Sequence, residues 1–579
     1  MDTVNQVDEI LEVQGEQLES LRESNDEEEG MSSHRPIQSV RSHDLSPQET
    51  EIAPRRHSKT QLATIMVITA LPTITQHFSS PAGYTWVGSS YLLATAASTP
   101  SWGNFSDIWG RKPALLTALA VFFIGSLISG ISSSMTMLIA GRTIQGTGGG
   151  GILTLVNICT SDLFSMRTRG VAFGMESLIW ATAAAVGPVL GGVFSELVSW
   201  RWCFYTALPC SGFIFYILAL FLKMETPSTP IIAGLKAVDW LGSLALLGAT
   251  VTILLGLEFG GVIFVWSSTK VLCLIAFGLV MGALFFLNEA KLARYPVMPL
   301  HLFKRRSNIA ALLFAFLHGL TYFSATYYLP FYAQAVRGYA PLQSGIFVIP
   351  FEVSLSISCA ISSILIRVTG RYVELIWLGI SLMVLAFGLF IHIDVVSTTL
   401  QLVIFQIIAG VGTGTCYSAP LIALQAQATP EDTATVTSTW GFVRNLSNAI
   451  SVVIGGVVFQ NGMESQAGVL TEKLGKSIAM RLSGKNATAN VLMLKDLSEA
   501  QGYIARSAYA TSLKQMWIVF TCTATCALIV SAFIRKNLLS EVHQESRIGL
   551  HKEGGTKSTG RKGVRKQGLE QGTRSPRGN

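Results

Sequence analysis

Hydrophobic and polar positions alternate along this chain in long blocks, not at the short periods of a water-soluble fold. Apolar runs close to the roughly 20 residues that cross a bilayer as a helix fall at 84–102, 114–134, 136–160, 171–194, 202–222, 239–258, 270–288, 309–333, 344–367, 372–393, 399–424, 437–459 and 514–535. Inside a bilayer a segment must satisfy its own backbone amides, so these runs predict thirteen transmembrane helices. A weaker run precedes them near Gln61–Thr75. Its core, LATIMVITALPTI, is short and contains Pro72, yet tilting or local thinning lets such a segment cross. The flanks differ: residues 1–60 are acidic, then rich in Ser, Arg and His, and 536–579 are rich in Lys, Arg, Gly and Ser. Both predict disordered tails. The first sixty residues hold no apolar core of a cleavable signal.

Composition supports this pattern. Half of the 579 residues are hydrophobic, 13% are charged, and the mean hydropathy is +0.46. Soluble domains carry about 25% charged residues, so one polytopic membrane body is expected in place of several soluble domains. The net charge of +7 concentrates in alternate loops and in the C-terminal tail, which suits membrane orientation better than nucleic-acid binding. Placing the Arg111–Lys112 turn in the cytosol also puts Arg167, Arg169, Lys291, Arg294, Lys304–Arg306 and Arg371 there. The opposite loops carry little positive charge beyond Arg201, Lys270 and Arg337. Fourteen spans then leave both termini cytosolic. The eight cysteines all lie inside apolar runs without metal-ligand spacing, so they read as small hydrophobes and no metal site is expected. One long external loop, 460–513, holds the glycosylation sequon Asn486-Ala487-Thr488.

Candidate chemistry begins in the polar turn GNFSDIWGRK, Gly103 to Lys112. Gly103 lets a helix end close against its neighbour, and Gly110 permits the backbone reversal. Asp107 can cap amides or pair with a base, and Arg111 suits a bidentate partner, for which Asp162 is the natural candidate. A plain positive anchor requires neither Asp107 nor the glycines. Arg142 lies inside a span, followed by Gln145, Gly146 and glycines to Gly151; a charge there faces a cavity or a structural partner. Gly187-Pro188-Val189-Leu190-Gly191-Gly192, with Ala183 one turn earlier, predicts a proline kink with close small-residue packing. Trp200-Arg201-Trp202 reads as an interfacial aromatic belt. Glu176, His318, Glu352 and Arg444, with Asn445 and Asn448, are costly inside a membrane and are candidates for lining a cavity or carrying a proton, or else for satisfied interhelical hydrogen bonds.

The chain also repeats itself. GPVLGGVF (187–194) is echoed by SVVIGGVVF (451–459), GRTIQGTGGGG (141–151) by AGVGTGT (409–415), and IWGRK (108–112) by RVTGRY (367–372). The echoes share one order and a similar offset, which predicts two six-helix bundles, 61–222 and 309–535, around an inserted pair at 239–288. The second copies lack the Gly-Pro of the kink and the acid of the turn.

The pattern G-x-x-x-D-x-x-G-R-K at Gly103–Lys112 resembles the cytoplasmic loop after the second helix of the major facilitator superfamily. With R-x-x-x-G at Arg142–Gly146 and the antiporter-like signature at Gly187–Gly192, the chain resembles that superfamily's fourteen-helix drug:proton antiporter branch. The resemblance implies an all-α polytopic fold with a pseudo-twofold axis. It assigns gating to Gly103, Asp107, Gly110, Arg111, Lys112, Asp162, Gly187, Pro188, Gly191 and Gly192, and proton coupling to the region of Arg142. Two departures stand out: Phe105 replaces the usual Leu, and the stretch before Thr69-Ala70-Leu71-Pro72 lacks the family's acid. Either the coupling proton is carried elsewhere or residues are missing from the sequence.

The expected function is export of amphipathic small organic molecules such as drugs, toxins or secondary metabolites by proton antiport. It needs no cofactor beyond the proton gradient. The expected partners are the small-molecule substrate and the bilayer; the protein is taken as a monomer in the plasma membrane, with the vacuolar membrane as the alternative. A vacuolar importer of basic amino acids requires acids lining the cavity, where Glu176 stands nearly alone. A non-transporting sensor requires a folded cytosolic domain. An enzyme is not expected, because no loop carries a nucleophile–base pair.

Overall fold

The computed structural model describes residues 83–539 except 195–197, 223, 225–228, 261–263, 294–296, 299, 430, 431, 485 and 538, together with 67, 70, 73, 74, 77 and 78. The short first run and both tails therefore lie largely outside the described residues. The described chain is helical. In order the long helices are α1 (Gly83–Trp109), α2 (Arg111–Gly130), α3 (Met135–Leu163), α4 (Met166–Val193) and α5 (Ala207–Phe221), the last preceded by the single turn Trp202–Tyr205. Then come α6 (Trp240–Phe259), α7 (Thr269–Lys291), α8 (Arg306–Ala335), α9 (Pro341–Thr369) and α10 (Val373–Phe390). The chain continues through α11 (Thr399–Thr415), the short α12 (Ala419–Gln425), α13 (Thr433–Ser465) and α14 (Glu499–Ser531).

Among the described residues ten helical segments are long and apolar enough to cross a membrane. Helices α1, α3 and α4 fall outside that set despite their length of 27 to 29 residues. Glycines that meet other helices, such as Gly103 on α1, Gly146 and Gly148 on α3 and Gly174 on α4, lower their apolarity. The lipid-facing helices show the converse, with exposed Phe213, Tyr216 and Phe221 on α5 and Leu279, Phe286 and Leu287 on α7.

Helix pairing explains the repeat. In the first half α3 packs against both α1 and α2; in the second half α11 packs against both α9 and α10. Across the seam α4 packs on α9, and α13 packs on α1, which is the same relation exchanged between the halves. The inserted helices α6 and α7 pack on each other, and α6 rests against α1 and α13. Phe105 belongs to this seat. Its ring lies 6.0 Å from Trp102, 5.7 Å from Trp109 and 6.4 Å from Trp240 of α6, edge-on or tilted, so the departure from Leu adds aromatic contact with the inserted pair.

The segment 460–513 is not an open loop. Helix α13 runs on to Ser465, α14 starts at Glu499, and short helices at Ala467–Leu474 and Lys476–Leu482 fill the interval. They bury Leu470, Leu474 and Leu482, while the Tyr509 hydroxyl donates to the Ala487 carbonyl at 2.7 Å. Hydropathy detects the part of a helix inside the bilayer and is silent about its polar continuation. Asn486 is exposed on a one-turn helix there, its side-chain amide donating to the Met480 carbonyl at 3.1 Å.

Candidate functional site: a polar seam between two helix bundles

The turn between α1 and α2 is built on a backbone that only glycine adopts comfortably: Gly110 has φ 94° and ψ 163°. Reversal at Gly110 directs Arg111 back into the bundle, where it is 1% exposed. Its Nε donates to Asp162 Oδ2 at 2.7 Å, and its Nη1 donates to Asp107 Oδ1 at 2.6 Å and to Ser106 Oγ at 2.8 Å. Two carboxylates from different helices thus share one guanidinium. This geometry meets the desolvation cost of burying the charge. Lys112 takes a different role and donates to the Ala219 carbonyl near the end of α5 at 2.9 Å.

The same turn touches the other bundle. A Cβ on Gly103 would stand 2.6 Å from both Cβ and Oγ of Ser438 on α13, so only glycine permits this approach. The Thr435 hydroxyl of α13 is hydrogen-bonded to Asp107. Nearby, Gln425 at the end of α12 donates to Ser161 Oγ of α3 at 2.7 Å and to Thr437 Oγ1 at 2.8 Å. Its carbonyl oxygen accepts from Arg169 Nη1 at 3.2 Å, and Arg169 Nε donates to the Phe164 carbonyl at 2.9 Å. Further along the seam Asn445 donates to Thr99 Oγ1 at 3.1 Å. The end of the molecule that holds the Arg111 turn is therefore closed across the seam by small side chains and hydrogen bonds.

Arg142, 2% exposed, has no carboxylate partner among the described residues. Its Nε donates to the Val87 carbonyl at 3.0 Å and its Nη1 to Gln145 Oε1 at 2.6 Å, while its guanidinium lies 4.4 Å from the Tyr91 ring centroid. Gln145 is held in turn by Ser126 at 2.8 Å. Gly187, Gly191 and Gly192 are buried on α4, which continues as α-helix through position 188; the Pro188 side chain lies outside the described residues. A Cβ on Gly192 would find Leu342 of α9 at 3.8 Å, an ordinary contact, so packing alone does not demand glycine there.

The remaining polar candidates lie in the second half, apart from Glu176, which faces them from the first. His318 is fully buried on α8, stacked between Phe314 and Tyr322 at 5.9 and 6.5 Å, with Nε2 3.2 Å from the Thr413 carbonyl. Glu352 on α9 is buried two residues after Pro350 and accepts from Thr326 Oγ1 at 3.2 Å. Glu176 on α4 is half-buried and interacts electrostatically with Tyr417 across the seam. Arg444 on α13 is 6% exposed, with its guanidinium carbon 3.8 Å from the centroid of Tyr417, 5.3 Å from Trp440 and 5.6 Å from Tyr322.

Sequence reasoning missed Gln425, Arg169 as a seam contact, and the aromatic residues around Arg444. The chance of finding Gln425 lay in the repeat, since it occupies in the second half the place that Ser161 and Asp162 hold in the first. A shallow apolar cleft among α2, α3 and α5, lined by Leu119, Phe122, Ile152 and Ile214, lies within the first bundle and away from the seam.

A family model described as Major Facilitator Superfamily matches residues 60–452. The chain is 46% identical over 489 residues to the efflux pump dotC of Dothistroma septosporum, covering 84% of each chain. It is 44% identical over 488 residues to the MFS-type transporter ppz2 of Metarhizium majus, again covering 84% of each. It is 35% identical over 498 residues to the efflux pump FUS6 of Gibberella moniliformis, covering 85% of this chain and 88% of that one. In fold it is similar to the human organic anion transporter MFSD10 (TETRAN), with a TM-score of 0.51 at 16% identity, over 83% of this chain and 99% of the other. The chain is a multi-pass membrane protein and belongs to the major facilitator superfamily.

Proposed function

We propose that this transporter exports amphipathic organic molecules by proton antiport, with residues 61–222 rocking against 309–535 around a site between them. The observation that carries the reading is the set of separable contacts across one end of the seam: Gln425 with Ser161 and Arg169, and Gly103 against Ser438. Such contacts can break and re-form as a unit, which alternating access requires. The cytosolic assignment of this end follows from its Lys and Arg content, and both termini then lie in the cytosol. The relatives named efflux pumps support outward transport. Glu176 and Glu352 are the acids on helices that meet across the seam, α4 and α9, and are the proton carriers we favour, with His318, Arg142 and Arg444 as further candidates for the coupling path. The plasma membrane is the compartment this activity requires.

Cells with and without the protein, exposed to a panel of toxic amphipathic compounds, provide the test. The expected result is lower accumulation in cells carrying the protein, abolished by a protonophore. Transport that ignores the pH gradient would remove the antiport mechanism and leave export. Equal accumulation of every compound, with altered vacuolar lysine or arginine, would replace export with import of basic amino acids.

A further inference from the structure

Four arginines are buried among the described residues: Arg111, Arg142, Arg169 and Arg444. The first three use their guanidinium nitrogens on carboxylates, carbonyls or amide oxygens. Arg444 does not. Neither its Nη1 nor its Nη2 has a hydrogen-bond partner among the described residues, although the residue is only 6% exposed. Stacking on Tyr417 covers a face of the guanidinium plane, but the N–H bonds lie in the plane and point past the rings. Donors of a charged group left without acceptors in a low-dielectric interior are costly, and natural proteins keep such groups where something else supplies the acceptor.

We propose that Arg444 is the recognition point for an anionic substrate and that the compounds carried are planar aromatic acids bearing a carboxylate or phenolate. This rests on the export reading above and names its substrate class. The fork of Arg444 presents two parallel N–H donors to an anionic oxygen or oxygen pair. The surrounding rings set the shape of the rest of the ligand: Tyr417 and Trp440 flank the guanidinium, and Tyr322 continues into a stack with His318 and Phe314. A flat aromatic body attached to the anion can extend this stack. No carboxylate among the described residues forms an ion pair with Arg444, so its charge is uncompensated by a direct contact. Those interacting with Arg444 are His318 on α8, Cys416 and Tyr417 between α11 and α12, and Tyr322 on α8. The acids Glu176 and Glu352 act on Tyr417. The position also borders the path between the halves, because the adjacent Asn445 bonds Thr99 of α1.

Fluorescein and rhodamine 6G share a xanthene ring and carry opposite charge, so together they isolate the sign of the ligand. Binding of each to the full chain in nanodiscs is measured by fluorescence polarisation. The wild type is expected to bind fluorescein about tenfold more tightly than rhodamine 6G, as a charge-assisted bidentate contact implies. Arg444→Gln is expected to erase that preference by weakening fluorescein and strengthening rhodamine 6G, and Arg444→Lys, which keeps the charge without the fork, to retain part of it. A wild type without preference for fluorescein would overturn the proposal, and this arm needs no variant to fold. So would a preference that survives Arg444→Gln in a variant that still binds rhodamine 6G. Proteoliposome transport of the same dyes separates the two readings: preferential fluorescein binding without movement of either dye would remove export and keep the anion site.

Discussion

The turn at Gly103–Lys112 and its repeat around Gly370–Tyr372 perform one shared task and differ in another. Each follows its bundle's second helix and is tied to the end of that bundle's last helix. Lys112 donates to the Ala219 carbonyl of α5, and the Tyr372 hydroxyl donates to the Arg535 carbonyl just past α14 at 2.8 Å. The second turn adds an ion pair between Glu374 and Lys536 at the same place. Here the likeness ends. Arg111 is buried between Asp107 and Asp162, whereas Arg371 is exposed, its backbone N–H donating to Thr369 Oγ1 at 3.2 Å. Arg367 stands where the repeat would require an acid. Anchoring is therefore common to both copies, and the charged lock belongs to one. The duplicated scaffold separates what holds the bundles together from what we propose gates them.

The largest effect is expected where the lock loses its cation. Arg111→Gln leaves the buried Asp162 and the partly exposed Asp107 facing each other without their cation, which costs up to roughly 3 kcal/mol once solvent screening at Asp107 is allowed for and should lower the melting temperature of the detergent-purified protein by several degrees. A backbone comparison comes next. Gly110 lies in a region closed to other residues, but Gly370, at φ 66° and ψ 8°, lies in the left-handed well that Asn tolerates. Gly110→Asn should cost about 1–3 kcal/mol and Gly370→Asn far less, as judged by thermal unfolding of the two variants side by side. A smaller and more local effect is expected at the seam. Gly103→Ala should disfavour the closed end by about 1–3 kcal/mol through overpacking on Ser438, and Ser438→Gly should restore it. Additive effects in that double-mutant cycle would deny the contact. The smallest change is expected from Arg371→Gln, whose melting point should match the wild type within the roughly ±0.5 kcal/mol typical of surface changes.

The positions of the long helices were legible because bilayer crossing writes itself as apolar length. The turn was legible because Gly103, Asp107, Gly110 and Arg111 fall within nine residues between two apolar runs, and Asp162 is the acid at the same end of α3. What stayed hidden depends on tertiary approach. Gln425 is one of many amides in the sequence and acquires meaning only when α12 meets α3. The partners of Arg142 proved to be a backbone carbonyl, an amide and a ring, none of which sequence spacing reveals. The helical filling of 460–513 escaped because hydropathy is blind outside the membrane. The cage around Arg444 draws its rings from α8, α13 and the α11–α12 link, so no linear motif could display it.

We propose that the charged lock of the first turn gates transport and that the second turn merely anchors. Proteoliposome transport of one exported compound by Asp107→Asn and Arg371→Gln, at matched protein incorporation, tests it most directly. A loss of about tenfold or more is expected for Asp107→Asn, the range set by removing one charge-assisted bond from a switching network, with Arg371→Gln transporting as the wild type does. Normal transport by Asp107→Asn, or equal loss in both variants, would contradict it.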